Sequence, residues 1–586
     1  MPSSLLLAVG LFLSPTGEPA PFVPLCAVVR IDPVDVLGKW LALYLKGELD
    51  LTGSKLRLRG RNATMSAKDF VSITSGLLPD QNPERWSHEQ ELEKLCELVA
   101  ATQGPRAVRA LLDVAAVGLD QRDYEPAMNP VLVRRIAEKH LAKLPPGGER
   151  QVVFDLVAAA ATPPPVRAAA LRALGNFQDE LYRPVLETAL ADHALSLRIA
   201  AAEGMARSQL ATAVLALADR LAAETEVAAR IALIDALNAI ATKRGVEVAE
   251  AHRRRAVSAV LDNLGQVGWQ VDLAALDYLG KVRSVDTVPR LIRVLAVYAE
   301  APKLRKDDEK SALVPYRAHE LLVSLTGAVY PANAPAQWQE WWDKVRDEFR
   351  LAEPKPAAKP EAGDKRTVAS SFFGVPVRGT RVLFIVDASG SMNQEWSGGE
   401  TKLQVAKREL RSAVEQLAPD AAFNVVTFGD RANAWRDTLA PATKPNKEAF
   451  FKHVDNIAIA GATNVWAGLE LALRIKTIEQ NARYATPADE IFVLSDGAPT
   501  TGEIVRPEQI LETLCETNRT SRIRINTIYI ETVREGGGGG RGGGRGGPGG
   551  GGGRGGWGRG GMSGAELMKQ VAERNGGSFL RPQPTK

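Results

Sequence analysis

Asp387, Ser389 and Ser391 stand two residues apart at the end of an unbroken apolar run, 382–386. A run of that kind reads as a strand buried on both faces, as parallel strands are. The carboxylate and two hydroxyls then fall on the loop leaving the strand's carboxyl end, the edge at which open α/β sheets bind ligands. Carboxylate and hydroxyl oxygens are hard donors. They suit Mg²⁺, which takes oxygen ligands and keeps some water, or a ligand oxygen, in its shell. A metal held this way is short of protein ligands, and the shortage points to a binding role.

Two later segments add donors. Gly461, Ala462, Thr463 and Asn464 precede a helical stretch, 465–476, and offer a third hydroxyl. Residues 490–495 read as another buried strand, closed by Asp496 and Gly497, with a second carboxylate at its tip. With Asp387, Ser389, Ser391, Thr463 and Asp496 in that order, residues 372–584 resemble the von Willebrand factor A domain family and its metal-ion-dependent adhesion site. The resemblance implies a doubly wound, Rossmann-like α/β domain in which these five residues surround Mg²⁺ or Mn²⁺, Asp496 directly or through water. It also implies a protein partner whose Asp or Glu completes the metal's shell. The competing reading makes the same residues helix caps, a place Ser, Thr and Asp favour.

An enzyme competes with a binding module at this site. An Asp after a buried strand could accept a phosphoryl group, but haloacid-dehalogenase-type phosphatases carry a second Asp two residues on, where this chain has Ser389. None of the six His residues lies in a zinc-binding His-Glu-x-x-His frame, and neither a Gly-x-Ser-x-Gly elbow nor a phosphate-binding P-loop motif is present. Isolated His140 and His453 read as surface or packing residues. The sequence favours binding over catalysis.

The surrounding segments can position such a site. Residues 401–417 have helical apolar spacing without Gly or Pro; 448–454, 507–517 and 565–574 read as further helices, and 423–428 and 523–530 as strands. Strands alternating with helices imply a parallel sheet covered on both faces.

The amino-terminal half, 31–350, has a different pattern. Val166 to Gly175 is echoed from Leu197, again from Ala229 and again from Val271, with about 31 to 35 residues between the first three copies. Pro184 and Pro289 open a second helix after the copy's Gly. These segments resemble HEAT repeats and predict an all-α solenoid, to which 105–117 and 131–144 add helices. Trp338, Trp341 and Trp342, at helical spacing, read as packing at the array's end. The basic run 55–61 reads as a solvated loop. A Pro-rich linker, 351–371, separates this half from the α/β domain, 372–586.

Within that domain, 536–561 is almost all Gly with Arg541, Arg545, Arg554, Arg559 and Trp557, and its composition predicts disorder. Residues 1–30 are ambiguous: 5–13 suits a signal-peptide core, yet the first four residues lack positive charge. Export, to the periplasm or beyond, is favoured over a cytoplasmic location. No other segment reads as transmembrane. Cys26, Cys96 and Cys515 suit neither a disulfide framework nor a zinc site. A net charge of +4, spread along the chain, implies no strong polyanion preference.

Two functions follow. The first is a non-catalytic scaffold: the α/β domain grips an acidic residue of a partner through Mg²⁺, and the repeats offer a second protein-binding surface. The second is RNA binding by the repeats and the Arg-Gly-Gly insert, resembling the Ro ribonucleoprotein family in architecture alone. The repeat helices mix Asp and Glu with Arg, which disfavours a phosphate-binding face.

Overall fold

The structure, a computed structural model, describes residues 32–46, 88–119, 129–299, 310–353, 370–474, 488–531 and 562–584. The apolar run near the amino terminus, the basic run 55–61, residues 354–369 of the expected linker and the glycine insert lie outside them. Two compact units divide the chain, 1–208 and 209–586.

In the first unit the described chain is helical: Pro33–Leu45, His88–Thr102, Pro105–Ala115, Pro130–Leu141, Gly148–Ala158, Pro164–Asn176, Arg183–Ala189 and Leu195–Ser208, with a short 3₁₀ turn at Glu180–Tyr182. Proline stands in the first turn of several of them, where its missing N–H is one that no helix pairs. The two recurring segments of this unit are the helices Pro164–Asn176 and Leu195–Ser208, and they pack on each other. Gly175 and Gly204 permit the close approach, because a Cβ on Gly175 would overlap the carbonyl of Gly204. Side chains of these two helices and of Pro130–Leu141 form a largely buried ionic cluster. Arg172 bonds Glu203 and, at 3.3 Å, Glu138; Arg207 reaches Glu138 at 2.9 Å and Arg134 lies 3.7 Å from it.

The second unit opens with helices Val214–Ala223, Val227–Ala241, Glu250–Asn263, Trp269–Val282, Thr287–Ala299, Leu313–Thr326 and Pro335–Val345. Helices pack on chain neighbours and also on every second helix. Val227–Ala241 meets Trp269–Val282, which meets Leu313–Thr326; Val214–Ala223 meets Glu250–Asn263, and Thr287–Ala299 meets Pro335–Val345. Such alternation is consistent with stacked helical pairs. Trp338 is buried edge-on against His319 and Tyr330, and Trp342 against Phe349, so these rings pack the array's end.

The α/β part has strands β1 (Ser371–Phe372), β2 (Val375–Pro376), β3 (Arg381–Asp387), β4 (Glu395–Ser397), β5 (Glu400–Thr401), β6 (Ala422–Phe428), β7 (Ala432–Ala434), β8 (Ala440–Pro441), β9 (Glu490–Ser495), β10 (Arg524–Tyr529) and β11 (Phe579–Leu580). Its seven-stranded sheet runs β11-β10-β9-β3-β6-β7, with β8 also on β6. β3, β6, β9, β10 and β11 are parallel, but β7 and β8 pair antiparallel with β6, a departure from the wholly parallel sheet expected. Those two strands are short and Ala-rich, so no strand pattern announced them. Every residue of β3 and β9 is buried, which is why each has a continuous apolar centre, 382–386 and 491–494.

Helices Lys402–Glu415, Lys444–Asp455, Val465–Arg474, Pro507–Ser521 and Gly564–Arg574 complete the domain. The expected 448–454 helix begins earlier, at Lys444, with Pro445 in its first turn. The chain passes from β3 to β6 on one side, then crosses to β9, β10 and β11 on the other. The reversal opens a crevice at the carboxyl end of β3.

Candidate metal centre

Asp387 closes β3 inside that crevice and is 0% exposed. Its Oδ1 accepts from the backbone N–H of Ser389 at 2.8 Å, and its Oδ2 accepts from the Ser495 hydroxyl at 2.6 Å. Burial pushes the Asp387 carboxyl above its ordinary pKa, against the lowering effect of the Ser389 and Ser495 hydrogen bonds. The hydroxyls of Ser389 and Ser391 lie 3.1 Å apart, and Ser391 donates to Asp496 Oδ1 at 2.7 Å. Four of the five expected residues therefore form one connected polar cluster.

Thr463 reaches the same crevice on a different loop. Ala460 N–H donates to Ala388 O at 2.7 Å, and Gly390 N–H to Gly461 O at 2.9 Å, which lays the 460–463 loop along the 388–390 loop. Gly461 adopts φ +43° beside the Asp430 carboxylate, a place where a side chain would collide. The backbone N–H of Thr463 donates to Thr500 Oγ1 at 3.0 Å. No hydrogen bond among the described residues joins its hydroxyl to the other four.

Helix capping does not account for these residues. Ser389 heads the 3₁₀ turn Gly390–Asn393 without a side-chain cap bond. Asn464, not Thr463, accepts from Ala467 N–H at 3.1 Å at the start of Val465–Arg474. Thr401, outside the cluster, is the residue that forms a full capping box, with Gln404.

One member was missed in the sequence. Lys402, 1% exposed, donates to Asp496 Oδ2 at 2.6 Å and to Gln394 Oε1 at 3.1 Å. Its signal was available: Lys402, Ala406 and Leu410 share one helical stripe, and a Lys on a buried stripe needs a carboxylate partner. With Lys402 counted, Asp387 and Asp496 leave one negative charge uncompensated. No group of three or more His, Cys, Asp or Glu side chains that could hold a metal occurs among the described residues. Hydroxyl oxygens must supply the balance of any cation shell here.

Fold and crevice together define a doubly wound α/β domain with an oxygen-lined strand-end site. Residues 382–498 match the von Willebrand factor type A domain, so the chain carries such a domain. It is 34% identical over 133 residues to inter-alpha-trypsin inhibitor heavy chain H1 of Mesocricetus auratus, covering 22% of this chain and 14% of that protein. Heavy chain H3 of Bos taurus is 31% identical over 141 residues, 24% of this chain and 15% of that protein. The chain thus spans only a small part of the curated relatives it matches. Among solved structures, a von Willebrand factor type A protein from Catenulispora acidiphila is 18% identical, covering 35% of this chain and 38% of its own, with a TM-score of 0.24. Proximal thread matrix protein 1 from the mussel byssus, with a zinc-occupied MIDAS motif, is 18% identical, covering 35% and 41%, with a TM-score of 0.22.

Proposed function

We propose that this protein is a non-catalytic, metal-dependent protein-binding scaffold. Asp387, Ser389, Ser391, Thr463 and Asp496 would hold Mg²⁺ or Mn²⁺, with Asp496 direct or through water. The supporting observation is the charge balance of the crevice. Two buried carboxylates face one ammonium, Lys402, so with both ionised the cluster alone carries one excess negative charge. A divalent ion reverses that sign, leaving one excess positive charge in a buried place. An Asp or Glu from a partner, entering as a ligand, would restore neutrality and complete the shell.

The donor set fits this cation. Carboxylate and hydroxyl oxygens are the hard ligands Mg²⁺ takes, and Ser389 and Ser391 already bridge the space between the carboxylates. Thr463 is the adjustable member, on a loop packed beside the cluster, with no hydrogen bond from its hydroxyl to the other four among the described residues. Ser389, at the position where a phosphatase needs a second Asp, supports binding over catalysis. The stacked helices, read as HEAT-like repeats, would offer the second protein-binding surface. Among the described residues no helix is long and apolar enough to cross a membrane. The apolar run 5–13 supports an exported location.

The test is capture of an acidic partner by the full chain in Mg²⁺ and in EDTA. Capture is expected in Mg²⁺ only, and Thr463→Ala should weaken partner binding more than metal binding. Undiminished capture in EDTA would remove the metal from recognition.

A further inference from the structure

At the opposite, amino-terminal end of the sheet, a cavity of about 180 Å³ opens between the helical and α/β parts of the second unit. Five arginines line it: Arg317, Arg519, Arg522, Arg524 and Arg574, against one carboxylate, Asp277. They arrive from separate elements. Arg317 lies on Leu313–Thr326, Arg519 on Pro507–Ser521, Arg522 on the turn that follows it, Arg524 at the start of β10, and Arg574 at the end of Gly564–Arg574.

Local pairing absorbs part of this charge. Asp277 takes Arg317 at 3.0 Å and Arg522 at 3.5 Å, and Arg522 also bonds Asp235. Arg522 and Arg524 are incompletely served. Arg524 lies 3.6 Å from Glu490, yet its Nε and Nη1 are buried without a hydrogen-bond partner, and the Nε of Arg522 is too. Arg574 has no carboxylate within ion-pair distance among the described residues. Buried guanidinium N–H groups without acceptors are costly, and such exceptions call for an occupant that supplies oxygens.

We infer that this cavity binds a small phosphate group, either inorganic phosphate or the terminal phosphate of a small monoester. Guanidinium forks match phosphate oxygens in pairs, and converging arginines favour a multiply charged tetrahedral anion over a single carboxylate. The cavity's size admits one small group and excludes a protein segment. A bound anion would bridge Leu313–Thr326 to β10 and the helix before it, holding the two parts of this unit together. The site is independent of the strand-end cluster.

The test uses the full chain in EDTA, so that no metal at the strand-end cluster can recruit phosphate. Phosphorus NMR and calorimetry would follow inorganic phosphate and methyl phosphate against chloride at equal ionic strength. One saturable site is expected. Arg574→Gln, an exposed substitution that spares the core, should weaken it about tenfold or more, the scale of one lost charge-assisted hydrogen bond. Arg519→Gln should do likewise, and Asp387→Ala should leave phosphate affinity unchanged. Equal tightness of the two probes would show that a monoester fits, and inorganic phosphate alone that the ligand is free phosphate; either supports the site. Absence of saturable binding, or wild-type affinity in both arginine variants, would overturn it.

Discussion

Two buried ionic clusters in this molecule use the same residue classes to opposite ends. Between the helices of the first unit, Glu138 and Glu203 face Arg134, Arg172 and Arg207, and cations match or exceed carboxylates. At the end of β3, Asp387 and Asp496 face Lys402 and three hydroxyls, and carboxylate charge exceeds cation charge. The first cluster carries no excess of carboxylate charge and glues helices together. The second is open by one unit of charge, and its hydroxyls are neutral donors that leave that charge standing. The local count of charge, more than burial or hydrogen bonding alone, separates a structural network from a site awaiting a cation.

The largest expected effect breaks the first cluster. Glu138→Ala leaves two buried guanidinium groups, Arg134 and Arg172, and the partly exposed Arg207 around one carboxylate, and should destabilise the helical unit by about 3–5 kcal/mol, as loss of one partner of a buried pair does. Chemical denaturation followed by far-UV circular dichroism would measure it, with divalent metal affinity unchanged. An effect no larger than a surface substitution would place this network outside the core.

Lys402→Met sharpens the comparison from the other side. Without metal, Asp387 and Asp496 would share the crevice with no cation, at a cost of up to about 3–5 kcal/mol. Saturating Mg²⁺ should recover more stability in this variant than in the wild type, because the ion replaces the missing charge. Equal Mg²⁺ effects on both proteins would count against a shared electrostatic site.

Much of this difference was legible in the sequence. The apolar runs 382–386 and 491–494 announced central strands, and the residues closing them announced the crevice, because full burial on both faces leaves an uninterrupted pattern. Lys402 was overlooked because a lone Lys at a helix start ordinarily reads as solvent-facing, and only its place on the 402/406/410 stripe argued otherwise. β7 and β8 were invisible: Ala and Asn carry little strand preference, and pairing with β6 rather than local propensity makes them strands. Helix Pro33–Leu45 lay in a stretch with no repeat to compare it against. The recurring Val166, Leu197, Ala229 and Val271 segments all fell on helices, yet the division at residue 208 inside the helical half had no composition shift to mark it.

A smaller effect separates the two units by pH. Burial raises Glu138, but the guanidiniums of Arg207, Arg172 and Arg134 outweigh it and hold its carboxyl down to about 2. Its contribution is present above the ordinary 4.5 and is lost as pH falls through about 2. Asp272, in the second unit, is pushed up to about 7 by burial, against hydrogen bonds from Gly265 and Tyr298. The sign reverses: its contribution is full below the ordinary 3.8 and is lost as pH rises through about 7. Melting of the second unit between about pH 4 and 7 should therefore fall with pH, and Asp272→Asn should flatten that slope. An unaltered slope would assign the pH dependence to other groups.

The central claim, that the β3 cluster is open to a cation, is tested most directly by calorimetry of Mg²⁺ into the full chain, with Asp387→Ala beside it. One saturable site in the wild type and none in Asp387→Ala is the expected result. Equal binding by the two proteins, or none by the wild type with either Mg²⁺ or Mn²⁺, would contradict it and leave the cluster a structural network like that around Glu138.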